Sequence, residues 1–168
     1  MKELVLRPLR PSEAEAACSL ELACFAPEAA ATLEAIRHRI AHYSEYFWSA
    51  WDEERLVGFT NGVLTDAEDT GEESMKGSGH GDARGDRLCV LSVAVDPLRR
   101  RQGVGSLLMG RLLEAARANG LRSVFLMCEA HLIPMYEALG FAYRGVSPSR
   151  HAGIEWHEMQ FILEGWQA

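Results

Sequence analysis

The sequence predicts an α/β (α+β) fold, with strands and helices interleaved along 168 residues. Three observations carry this. Apolar, β-branched runs such as Val90–Val95 alternate with helical periodicity such as that of Val104–Ala118. Proline and glycine punctuate the joins, at Pro27, Pro97 and Asn119-Gly120. Hydrophobic residues make up 48% of the chain, enough for one sizeable core. A single domain over residues 1–168 is expected, with no internal repeat.

The elements follow in order. Leu4, Leu6 and Leu9 mark a short first strand, ended by Arg10-Pro11. Ser12 and Glu15 have the spacing of a capping box, and Ala14–Phe25 reads as a helix with Ala17, Leu20, Ala23 and Cys24 inward. Pro27 breaks it. Thr32 caps a second helix running to about His42. Tyr46–Trp51 and Arg55–Leu64 flank Asp52-Glu53-Glu54 as a hairpin. Gly58 and Gly62 in its second strand predict a bulge or a close backbone approach. Asp66–Gly85 is rich in carboxylates and glycine and reads as a mobile loop, or as a lid whose carboxylates or His80 reach a bound ligand. The apolar run Val90–Val95 is a strand that stops at Asp96-Pro97, Val104–Ala118 an amphipathic helix and Val124–Cys128 a buried strand. His131–Leu139 is a short helix with Pro134 harmlessly in its first turn. Gly140 ends that helix, Phe141 opens a strand, and Ile154–Leu163 alternates as another.

Composition narrows the function. A net charge of −7 argues against generic nucleic-acid binding, which needs a basic face. No apolar run approaches the ~20 residues of a membrane span, and Met1-Lys2-Glu3 opens no signal peptide. A cytoplasmic protein, monomer or homodimer, with no nucleic-acid or membrane partner is expected. Cys18, Cys24, Cys89 and Cys128 form no CxxC pair and read as free thiols. His38 and His42 stand i, i+4, but no third ligand and no HExxH accompany them, so no metal is expected.

The most informative stretch is Val90–Leu108. A strand stops at Asp96-Pro97; Arg99, Arg100 and Arg101 follow; then Gln102-Gly103-Val104-Gly105-Ser106 opens a helix. A helix N-terminus presents unpaired N–H groups and a positive dipole end, and glycines let an anion approach them. A phosphate or pyrophosphate site is predicted. It is no Walker loop, because no lysine precedes Ser106, and no dinucleotide fingerprint, because Leu108 stands where a third small residue is needed.

Arg100-x-x-Gly103-x-Gly105 after a strand resembles the acetyl-CoA signature of the GNAT acetyltransferase superfamily. Ile133-Pro134-Met135-Tyr136-Glu137-Ala138-Leu139-Gly140-Phe141 resembles that family's later helix and its GF ending. Leu9-Arg10-Pro11, Arg55-Leu56-Val57, Arg101–Ser106 and Leu126–Glu129 narrow the resemblance to the serotonin (arylalkylamine) N-acetyltransferase branch, of non-vertebrate type. The resemblance implies a GNAT acyl-CoA N-acyltransferase fold: a mixed, mostly antiparallel sheet with helices on both faces and splayed fourth and fifth strands.

It also implies direct acetyl transfer from acetyl-CoA to a small primary amine, an arylalkylamine or a polyamine-like one. Val93, Ala94 and Val95 would align the pantetheine arm. Arg100, Arg101, Gln102, Gly103, Val104, Gly105 and Ser106 would hold the pyrophosphate. Tyr136 would meet the sulfur and protonate the departing thiolate. The amine's proton would leave through water, with Glu129, His80 or a loop carboxylate assisting, unless the amine arrives already neutral. The branch's vertebrate members carry two histidines where this chain has Cys89 and Leu91, and a Cys-Pro-Leu-Thr loop where it has Ala29-Ala30-Ala31-Thr32. These departures leave the base and the amine open. They also keep two alternatives in view: a protein or peptide N-acetyltransferase, and a non-catalytic acyl-CoA-binding sensor.

Overall fold

A computed structural model describes residues 3–66 and 85–163. Strand β1 (Val5–Pro8) passes through a 3-10 turn into α1 (Ala14–Cys24) and α2 (Leu33–His42). The hairpin β2 (Phe47–Asp52) and β3 (Arg55–Thr65) follows, then β4 (Arg87–Val95) and α3 (Val104–Ala118). The chain continues through β5 (Ser123–Cys128), α4 (Ile133–Ala138), β6 (Ala142–Val146) and β7 (His157–Ile162). The seven strands form one sheet in the order β1-β2-β3-β4-β5-β7-β6. Every neighbouring pair is antiparallel except β4 and β5, which run parallel. The predicted loop from Asp66 to Gly85 lies almost wholly outside the described residues, His80 included.

Both faces of the sheet are covered. Ala14 and Ala17 of α1 and Ile36 and Ile40 of α2 pack on Phe47, Phe59 and Ala94. Val104 and Leu108 of α3 pack on Ala50 and Val57 from the other side. The largest cluster joins Met109 and Leu112 of α3 to Leu88, Phe125 and Met159 of the sheet, with Tyr136 and Phe141 at its margin. These are the apolar positions that helical and strand spacing require.

Two local expectations at α1 need correction. Ser12 and Glu15 do not form the capping box. A 3-10 turn, Pro11–Glu13, occupies that position, and the Glu13 carboxylate accepts the Arg10 N–H at 2.8 Å and pairs with Arg7 at 2.6 Å. The inward face is Ala14, Ala17 and Glu21, whereas Ala23 is exposed. Two residues turn a helix by roughly 200°, so Ala23 must oppose Glu21. The second helix begins as expected, with Thr32 Oγ1 accepting the Ala35 N–H at 3.1 Å.

The glycines in β3 perform both predicted roles. The β2–β3 register shifts between Ala50 and Trp51, opposite Gly58, and the β3–β4 register shifts between Asn61 and Gly62. A Cβ on Gly58 would lie 3.0 Å from Val104 Cγ1, so its absence lets α3 lie close on the sheet. A Cβ on Gly62 would stand 2.7 Å from the Cys89 carbonyl oxygen, which is backbone and cannot swing aside.

The β4–β5 ladder is short. It runs from Arg87 opposite Ser123 to Val90 opposite Leu126 and then ends. Arg87 pins the closed end, its Nε donating to Ser123 Oγ at 2.9 Å and its guanidinium 4.3 Å over the Phe125 ring. Leu91–Val95 keeps β3 on one side only, so the two strands part as the resemblance implies.

Gly62→Ala is expected to lower stability by about 1–3 kcal/mol, as overpacking a tight contact does. Urea unfolding of the two proteins measures it; an unchanged midpoint would mean that β4 can yield at Cys89.

Candidate active site

The bend predicted to hold a phosphate joins β4 to α3. Asp96 ends β4 and anchors a 3-10 turn, Pro97–Arg99, its Oδ1 accepting the Leu98 N–H at 3.0 Å. Arg101 and Gly103 both take positive φ, 63° and 81°. Gly103 is the N-cap of α3, and nothing lies within 4 Å of where its Cβ would be. The first helical bond is Leu107 N–H to Gly103 O at 3.0 Å. The N–H groups of Val104, Gly105 and Ser106 therefore precede the ladder and are available to an anion. Val104 is buried and anchors the turn, while Arg100, Arg101, Gln102 and Ser106 are exposed around it.

The three arginines are not equivalent. Arg99 is held by Asp52 in the β2–β3 turn. Arg55, from the other side of that turn, donates to Asp96 Oδ2 at 2.8 Å. Two crossed ion pairs thus tie the hairpin to the bend, and Arg100 and Arg101 remain as its exposed cations. The Arg100 guanidinium also neighbours the Cys24 thiol of α1 and opposes the upward push of burial on that thiol.

Where β4 and β5 part, a cleft of about 440 Å³ opens. One wall is Val90–Val93 of β4 with Leu126–Glu129 at the end of β5. A second is the α1–α2 connection, Pro27–Thr32, with Glu21 and Arg39 behind it. Leu132 and Tyr136 close the third side, and His151 and Trp156 overhang it. The overhang is tied down: His151 Nε2 lies 3.3 Å from the Ala29 carbonyl, and Trp156 Nε1 donates to the His151 carbonyl at 2.9 Å.

Of the predicted site residues, Val93, Glu129 and Tyr136 line this cleft. Ala94 turns its side chain into the core beneath α1 and α2. The Val95 carbonyl is not free: Cys24 Sγ lies 3.3 Å from it as a donor. Arg100–Ser106 lie beyond the end of β4, at the head of α3. Of the two positions where histidines were expected, Leu91 faces the cleft and Cys89 is wholly buried in the core. The rings of His38 and His42 sit 4.3 Å apart, and no group of three or more metal-ligating side chains occurs among the described residues. Nor is any helix among them long and apolar enough to cross a membrane.

Tyr136 is 4% exposed, its ring edge-on to Phe141 at 5.7 Å. Burial pushes its phenol well above the ordinary value, and the nearby Cys128 adds to this. The group is held neutral, as a proton donor must be. Burial likewise raises the Cys128 thiol to about 11, which makes it a poor nucleophile near neutral pH.

Glu21, Arg39, His151 and Trp156 line the cleft and escaped the sequence reading. Glu21 and Arg39 are 3% and 2% exposed. A signal was available for Glu21 and Arg39: both occupy inward helix positions where an apolar residue belongs.

Residues 14–141 match the model of the acetyltransferase (GNAT) family. Serotonin N-acetyltransferase of Mesocricetus auratus is 35% identical over 132 residues, which is 78% of this chain and 62% of that protein. The match thus spans less than two thirds of that relative's length. Among solved structures, the GphF GNAT-like decarboxylase in complex with isobutyryl-CoA superposes with a TM-score of 0.77 at 21% identity. That superposition covers 95% of this chain and all of the other. The ribosomal-protein-S18-alanine N-acetyltransferase of Escherichia coli gives 0.68 at 18% identity, covering 99% of this chain and 100% of that one.

The Asp96 carboxyl is held below the usual aspartate range, first by the Leu98 N–H and then by Arg55 and Arg99. A lowered carboxyl stabilises the fold above the unfolded value and stops doing so as pH falls through the folded one. Asp96→Ala should therefore cost about 1 kcal/mol at pH 7, the scale of a lost cap. The gap from the parent should close on acidification through the aspartate range. Urea unfolding at several pH values tests this, and a gap independent of pH would contradict it.

Proposed function

The chain belongs to the acetyltransferase (GNAT) family, and from that premise we propose that it is an acetyl-CoA-dependent N-acetyltransferase acting on small primary amines. Residues 1–168 are read as one such domain, working in the cytoplasm as monomer or homodimer without nucleic acid or membrane. Arylalkylamines come first as acceptors and polyamine-like amines second, in keeping with the serotonin N-acetyltransferase likeness. The observation that carries the reading is the parting of β4 from β5. It opens the cleft between the phosphate bend on one side and the α1–α2 connection on the other.

Each residue set then has a task. Acetyl-CoA supplies an activated acyl group as a thioester. The N–H groups of Val104, Gly105 and Ser106, with Arg100, Arg101 and Gln102 around Gly103, hold its pyrophosphate. The β5-facing edge of Val93–Val95 would align an extended arm like an added strand, with Cys24 giving up the Val95 carbonyl. Tyr136, neutral at the foot of the cleft, gives a proton to the leaving sulfur. Glu129, exposed at the mouth, passes the amine's proton to bulk water. No metal takes part in this scheme.

A peptide acceptor is the second reading, because the fold is shared with a protein N-acetyltransferase. The tie between His151 and Ala29 favours the small acceptor, since it bridges the cleft where a peptide would have to lie. Release of free thiol from acetyl-CoA with tryptamine, phenylethylamine, spermidine and a peptide panel tests both. Thiol release with peptides alone would sink the small-amine reading. CoA binding with no turnover on any acceptor would make the chain a sensor.

Two variants probe the assignments. Gly103→Val places a branched side chain at a φ of 81°, where L residues are strained, and crowds the phosphate path. CoA affinity, measured by calorimetry, should fall at least tenfold, about 1.4 kcal/mol, in a folded protein. Tyr136→Phe should leave CoA affinity intact and slow single turnovers toward the low end of ~10²–10⁴-fold. Equal rates at every pH would leave Tyr136 with packing alone.

A further inference from the structure

An acyl acceptor that is an ammonium at neutral pH must lose a proton before its nitrogen can attack. The two positions where histidines were expected provide no base: Cys89 is in the core and Leu91 is apolar. The cleft does contain a carboxylate in an unusual state. Glu21 projects from the buried face of α1 and is 3% exposed. Its Oε2 accepts the Ala31 N–H at 2.7 Å, which fixes the side chain against the α1–α2 connection. Its Oε1 is buried with no hydrogen-bond partner in the described structure, yet the residue lines the cleft.

We propose that Glu21 binds the acceptor ammonium through Oε1 and takes its first proton. This rests on the small-amine reading of the cleft. A buried oxygen without a donor is a costly feature in a fold, and an ammonium entering the cleft supplies that donor. The other cleft carboxylates are placed for a later step: Glu129, at the mouth, relays to bulk water the proton that Glu21 has taken. Glu28 and Glu129 are exposed and keep their water. The ring nitrogen Nε2 of His151 is already set against the Ala29 carbonyl.

The electrostatics agree with the geometry. Burial raises the Glu21 carboxyl, against the Ala31 N–H, the nearby Ser92 hydroxyl of β4 and the charge of Arg39 on α2. The Cys24 thiol, one turn further along α1, is raised chiefly by burial, and the Glu21 charge adds to this. Arg39 is lowered to about 10 by its own burial and stays cationic at neutral pH, its Nη1 donating to Asn61 Oδ1 at 3.1 Å. Glu21 is thus a carboxylate with an appetite for a proton, facing a guest whose charged form the apolar wall disfavours. Both effects favour passing the proton from the ammonium to the carboxylate. The ammonium gives H⁺ to Oε1 and becomes a neutral amine. Its nitrogen forms the new bond to the acetyl carbon, the carbon–sulfur bond breaks, and the second N–H proton ends on sulfur. Glu21 returns its proton to solvent, so one H⁺ is released per turnover.

Glu21→Gln tests this, because its carbonyl still accepts the Ala31 N–H and the connection stays in place. Acetyl-CoA affinity should not change. At pH 7, kcat/KM should fall about 10²-fold with tryptamine but only a few-fold with trifluoroethylamine, which is already neutral. The variant's rate with tryptamine should keep climbing at high pH, following the free amine, where the parent has levelled. Glu21→Asp should recover part of the loss. An equal loss with both amines would mean that Glu21 only supports the fold, and no loss would mean that it is idle; either overturns the proposal. A parent that acetylates peptides but no small amine would sink the small-amine reading alone. Glu21 would then be judged on the peptide, where matching pH profiles for parent and Gln variant would overturn it.

Discussion

The whole arrangement depends on where one parallel ladder stops. β4 and β5 are paired only from Arg87 to Val90. Before that point Arg87 clamps the strands together through Ser123 and Phe125; after it their backbones diverge. A longer ladder would seal the sheet and leave no cleft. A shorter one would leave Leu88, Val124 and Phe125 without the contacts that make them the centre of the largest core cluster. The site is a controlled interruption of the sheet, and the core on either side holds the interruption open.

The order of elements was legible in the sequence because each has a strong local signal. Thr32 caps, Gly103 and Gly140 turn, Pro134 sits in a first turn, and the apolar periods switch cleanly between them. The bend between β4 and α3 was legible for the same reason, since the strand end, the arginines and the glycines lie within one run of the chain. Local signals were weaker where two patterns overlapped. Ser12 and Glu15 had the right spacing, but Glu13, between them, pairs with Arg7 and accepts the Arg10 N–H, a local competition that spacing alone does not resolve.

The cleft was only half legible for a related reason. Tyr136 and Glu129 come from one stretch and could be read together. Glu21, Arg39, His151 and Trp156 come from three separate places and meet only through the sheet. Leu91 and Cys89 show the limit from the other side. They mark where a resemblance stops, yet only the fold distinguishes the one that faces the cleft from the one sealed in the core.

The hairpin turn at Asp52–Arg55 looks like an ordinary surface corner, of the kind usually chosen for inserting a tag or shortening a loop. Its two ends are instead bound to Arg99 and Asp96, positions 47 and 41 residues further along the chain. Any graft there would slacken the bracing of the phosphate bend without touching it. The corner is better regarded as a remote buttress, and the freedom that loops normally allow to engineers and to evolution is narrower here than the surface suggests.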